Sequence, residues 1–108
     1  MRAEWLGLGD GSLKPKRLGT LLESVQCANV LRFDGLRVVV YPNDHRPAHV
    51  HVIGRGCEAV FNLNCPAGPV EIRENYGFSR REIRQMLTVL TEHLKELCKA
   101  WEQIHGIA

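Results

Sequence analysis

The sequence predicts an α+β domain in which a small antiparallel sheet of three or four strands packs on one long C-terminal α-helix. Two patterns predict it. Between Val30 and Leu63, apolar and polar residues alternate in short runs separated by Asp34-Gly35 and by Gly54-Arg55-Gly56. From Ile83 to Ile104, apolar residues recur at alternating spacings of four and three. A chain of 108 residues holds one such domain.

The elements follow in order. Residues 1–29 read as an N-terminal extension, partly flexible, because Gly7, Gly9, Gly11 and Pro15 break regular structure. One short helix fits there, with Leu18, Leu21, Leu22 and Val25 on one face. The domain proper is expected over residues 30–108. V-L-R-F, Asp34-Gly35 and L-R-V-V-V-Y form a hairpin, since Asp-Gly supplies the positive φ that a two-residue turn needs. P-N-D-H-R-P makes a loop, A-H-V-H-V-I a third strand and C-E-A-V-F-N-L a fourth, with V-E-I-R as a short edge strand. Leu36, Val38, Val40, Val50, Val52, Ala59, Phe61 and Leu63 should face the helix, leaving His49 and His51 on the other face. The length of the Gly54–Gly56 turn decides which residues of the fourth strand lie beside that pair.

The helix should run from about 80 to 105. Ser79 and Glu82 match a capping box, and Phe78 can staple against Ile83. At 1.5 Å per residue a helix of that length measures roughly 40 Å, longer than a small domain. Trp101 and Ile104 should therefore overhang the sheet, covered by Leu18–Val25 or by a second subunit in a homodimer through this helix. Tyr76 and Trp101 read as core or staple residues, His93 and His105 as helix-surface ones.

Composition excludes several classes. A formal charge of +2 is too small to announce a nucleic-acid partner by itself. No apolar run is long enough to span a bilayer, and the first residues lack a secretory h-region. Cys27, Cys57, Cys65 and Cys98 form no C-x-x-C pair, so they read as reduced thiols of a cytoplasmic protein.

The distinctive stretch is N-D-H-R-P-A-H-V-H-V, residues 43–52. His49 and His51 at i and i+2 on a strand project the same way, a spacing that lets two imidazoles chelate one ion. Asp44 or His45 can add a third ligand, and Glu58, Glu71 or Glu74 can complete the shell or orient a ligand. Zinc or another divalent metal suits this set. The same histidines suit metal-free acid–base cleavage of an RNA phosphodiester, best with His45 paired to His49 or His51 and with Arg46, Arg55 or Arg37 on the phosphate. Hydrogen-bonded strand histidines without further function fit the pattern equally. Arg80, Arg81 and Arg84, which open the helix after Arg73, can meet phosphates.

V-L-R-F-D-G, Y-P-N-D-H-x-P-x-H-V-H-V, E-A-V-F-N-L and V-E-I-x-E-N-x-G-F-S-x-R-E-I together resemble the small bacterial family called domain of unknown function 4160, over about Val30 to Trp101. The family's characteristic stretch falls on Asn43, Asp44, His45, Pro47, His49 and His51. Pro42 and the loop carrying Cys65 depart from it and leave the histidines intact. The resemblance implies no activity. It does imply a bacterial source and a neighbouring gene for a second small domain, an arrangement like that of toxin–antitoxin pairs.

Two function classes follow. One is a binding module of such a pair, contacting a partner protein or RNA through Asp44, His45, Arg46, His49, His51, Arg80, Arg81 and Arg84. The other is a divalent-metal site, hydrolytic in its simplest form, on Asp44, His45, His49 and His51.

Overall fold

The computed structural model describes residues 3–6 and 28–105. Its sheet has six antiparallel strands in chain order: β1 (Ala3–Trp5), β2 (Ala28–Phe33), β3 (Leu36–Val40), β4 (His49–Gly54), β5 (Cys57–Asn62) and β6 (Glu71–Tyr76). Two helices follow, α1 (Arg80–Glu92) and α2 (Leu94–His105).

Two tight turns set the register. Asp34 and Gly35 have φ of 50° and 77°, and Arg55 and Gly56 have 51° and 77°. Both are two-residue connections with positive φ at both positions, whose twist matches that of the strands they join. The ladder across the middle of the sheet then pairs Val38 with Val52 and Val52 with Ala59, while Val50 faces Phe61. All eight residues expected in the helix-facing core are buried, together with Met86, Leu90, Leu97 and Trp101 from the helices. The alternate row, Val39–His51–Val60, lies on the other face. Val39 and Val60 are buried there too, so this face is not simply a solvent face.

The expected sheet of three or four strands is corrected to six. Ala3–Trp5 pairs with β2, and the short edge strand at V-E-I-R extends to Tyr76. The first of these strands lies within residues 1–29, where an extension outside the domain was expected; Leu18–Val25 lies outside the described residues. Tyr76, expected in the core, is 60% exposed, because β6 is an edge whose six residues are all exposed.

The single long helix is also corrected. Its start is as expected: the Glu82 N–H donates to Ser79 Oγ at 3.1 Å, and the Ser79 N–H donates to Glu82 Oε1 at 2.8 Å. It then breaks at His93, whose φ and ψ are −111° and 19°. The His93 ring places Nδ1 3.0 Å from the Val89 carbonyl, while its own N–H is divided between the Val89 and Leu90 carbonyls. A side chain competing for the i−4 carbonyl is a recognised cause of helix breaks. The two segments measure roughly 20 and 18 Å. Trp101 therefore does not overhang; it is 2% exposed. The helical stripe is spent on the chain's own core. His93 and His105 are correspondingly not plain surface residues, since His93 stacks on Trp5 and His105 on Trp101.

Two of the four cysteines are not free thiols. Cys65, in the β5–β6 loop, forms a disulfide with Cys98 of α2, and among the described residues Cys57 is a free thiol. Cys65 and Cys98 therefore differ from the reduced thiols expected of them. Among the described residues no helix is long and apolar enough to cross a membrane.

Two outcomes follow. The disulfide closes a loop across 33 positions, so Cys65→Ser should lower unfolding free energy by about 2–4 kcal/mol. In urea titrations a reductant should shift the wild-type midpoint and leave that of the variant in place. Glu82 is held below its ordinary pKa, first by the Ser79 backbone N–H and then by the Ser79 hydroxyl and Arg55. A depressed folded pKa gives stability that is present above the unfolded value of ~4.3 and lost as pH falls through the folded one. The destabilisation by Glu82→Ala seen in urea at pH 7 should therefore shrink at pH 3.

Candidate metal centre

The loop before β4 is built to present Asp44. Its N–H donates to the Tyr41 carbonyl at 3.1 Å, closing a turn over residues 41–44. The Tyr41 N–H returns a bond to Asp44 Oδ2 at 3.2 Å. Short-range side-chain bonds of this kind are what make Asp a turn residue, and here they fix the carboxylate above the start of β4.

His49 and His51 share the face of β4 opposite to Val50 and Val52, and each ring is held by its Nδ1. His49 Nδ1 lies 2.8 Å from the Pro47 carbonyl. A carbonyl only accepts, so this nitrogen carries a proton, and in the neutral ring Nε2 carries the lone pair. His51 Nδ1 is 3.0 Å from Glu58 Oε2, a carboxylate partner that favours the same tautomer in the neutral ring. Glu58 reaches His51 because Arg55–Gly56 is a two-residue turn: Glu58 pairs with Ile53, diagonal to His51 on the same face.

Both Nε2 atoms then converge on one oxygen. Asp44 Oδ2 is 3.4 Å from His49 Nε2 and 3.3 Å from His51 Nε2. The second approach is close but not aligned as a hydrogen bond, and His51 Nε2 is a buried atom without a hydrogen-bond partner. Asp44, His49 and His51 thus place three donor atoms within 4.8 Å of one another. The side chains of Asp44 and His51 are 14% exposed and that of His49 only 7%. Around them, the Tyr41 ring meets His51 edge-on at 4.7 Å, and Trp101 packs against His49 at 5.3 Å.

The other sequence candidates scatter. His45 and Arg46 are exposed on the loop, and His45 is not among the three converging donors. Glu71 instead accepts from Asn64, and Glu74 from the Tyr76 hydroxyl. Arg80, Arg81 and Arg84 are exposed at the start of α1, which Glu82 ties to Arg55 at 2.8 Å. That is the turn end of β4, and His49 lies at the opposite end, roughly 17 Å along the strand. The histidines and the arginines therefore form two places rather than one surface.

Three neighbours of the site escape sequence reading: the Pro47 carbonyl, Trp101 and Asn62, the last directly opposite His49. Counting back from the Gly54–Cys57 pair would have found Asn62 once the turn length was known.

A family model described as Domain of unknown function (DUF4160) matches residues 35–102. The chain belongs to that family. The matched span contains β4, Asp44 and both histidines, and it ends just after Trp101. Comparison with curated proteins and with solved structures finds no match.

Proposed function

We propose that this member of the DUF4160 family binds a divalent transition metal, zinc foremost, on Asp44, His49 and His51. One observation carries the reading. Both histidines spend Nδ1 on a fixed acceptor and aim Nε2 at a carboxylate oxygen that has no proton to give. Three acceptors facing one another repel unless a cation or an added proton lies among them. Histidine held at the outer nitrogen by a carbonyl or carboxylate is the usual support for a ligating imidazole. The distances agree: two donors each about 2.05 Å from a tetrahedral ion stand about 3.3 Å apart. The 3.3 and 3.4 Å separations to Asp44 match two edges of such a tetrahedron.

Two imidazoles and one carboxylate suit zinc, iron or manganese. Three protein ligands resemble a catalytic more than a closed structural site, and hydrolysis by an activated water is the chemistry such a centre supports.

The partner-binding reading rests on the family's two-gene context and on the exposed Arg80, Arg81 and Arg84. It predicts RNA binding that weakens with salt and with loss of those arginines.

Elemental analysis of untagged protein tests the metal reading. About one metal per chain is expected in wild type after reconstitution and dialysis, and close to none in His49→Ala or His51→Ala with circular dichroism unchanged. Wild-type protein that retains no metal would sink the proposal.

A further inference from the structure

Among the described residues, four buried side-chain polar atoms have no hydrogen-bond partner: His51 Nε2, Asn62 Oδ1, Trp101 Nε1 and His105 Nε2. They are not scattered. Asn62 is the cross-strand partner of His49, the rings of His51 and Trp101 both pack on that of His49, and the His105 ring stacks on Trp101 at 3.7 Å. A buried polar atom left unpaired costs about 1–3 kcal/mol, so native chains rarely tolerate one without a reason. Trp101 Nε1 is a donor and cannot hold a cation, but His51 Nε2 and Asn62 Oδ1 lie beside His49 on the sheet, and an amide oxygen is an acceptor.

Resting on the metal reading above, we propose that Asn62 supplies the fourth donor of the centre through its side-chain oxygen. Residues directly opposite in an antiparallel ladder point to the same face, with Cβ atoms about 4.5–5.5 Å apart. Asn62 therefore stands on the face that carries His49 and His51. Its other neighbours on that face are Val60, buried and apolar, and Glu71 of β6, a carboxylate that accepts from Asn64, and neither donates to its oxygen. His51 Nε2 and Asn62 Oδ1, both unpaired, flank His49 on this one surface.

The three charged or imidazole donors leave one corner of a tetrahedron open. A carboxamide oxygen is a hard, neutral donor of the kind that takes such a corner beside carboxylate and imidazole. It adds no charge, so a divalent ion held by one carboxylate, two neutral imidazoles and one amide keeps a net charge of +1. Asn62 in that corner makes the resting site four-coordinate. A further ligand then enters by displacing the amide or by expanding the coordination shell.

Cobalt(II) replaces zinc in such sites and reports coordination number through the intensity of its visible bands, so it serves as the probe. Wild-type protein should give the intense bands of a four-coordinate ion. Asn62→Ala should weaken cobalt(II) binding about 10–100-fold, the range found when groups around a metal are removed, and lower band intensity as water enters. Asn62→Asp, which keeps the shape and adds charge, should bind at least as tightly as wild type and restore the intense bands. Wild-type affinity and an unchanged spectrum in Asn62→Ala would overturn the assignment and leave the metal reading standing. Weakened binding in both variants would likewise overturn it, as the sign of a packing role. Failure of wild type to bind cobalt(II) or zinc would sink both proposals together.

Discussion

The register between β4 and β5 is the constraint on which the rest depends. Arg55 and Gly56 take left-handed backbone conformations, so Gly54 must pair with Cys57. Every later pair is then fixed by counting. Val50 and Val52 meet Phe61 and Ala59 in the core, while His49 and His51 meet Asn62 and Val60 on the far side. A slip of one residue would bury the imidazoles in the apolar core and turn the valines outward. The apolar burial that stabilises the sheet thus also aligns the histidines.

The centre is assembled from the chain's local habits and one distant contact. Asp44 is delivered by its own turn, His49 is oriented by a carbonyl two residues away and His51 by the neighbouring strand. Trp101 comes from the far end of the sequence. The break at His93 leaves α2 packed into the core, and the Cys65–Cys98 disulfide ties it to the β5–β6 loop three residues before the indole that packs on His49. The half-buried setting matters electrically. A cation among these groups is attracted more strongly than it would be in bulk water, and an unmatched carboxylate or imidazole there is correspondingly disfavoured.

Separation is as informative as convergence. The arginines at the start of α1 share the turn end of β4 with Arg55, whereas the histidines occupy its opposite end. A partner touching both would have to span the strand. Each histidine is held at Nδ1 and packed against other rings, whereas Arg80, Arg81 and Arg84 are exposed.

Much of this was legible in the residues alone. Alternation at period two named eight of the buried core residues but not Ala28, Val30, Leu31 and Phe33 of β2, while Asp34-Gly35 marked its hairpin and Ser79 with Glu82 marked the helix start, because each depends only on near neighbours. The pairing of His49 with His51 was legible for the same reason, since both lie on one strand, while the third member was open between His45 and Asp44. What escaped depends on contacts between distant segments. Ala3–Trp5 is too short to show a period and becomes a strand only against β2. His93 reads as helical by spacing, and its ring against Trp5 and the Val89 carbonyl breaks the helix. Cys65 and Cys98 carry no mark of their pairing. His45 and Asp44 looked equivalent until the turn sent one to solvent and the other to the histidines. Sequence determined which side chains share a face, since that follows from backbone geometry. Only the tertiary structure decided which faces meet, since that is set by packing across the whole chain.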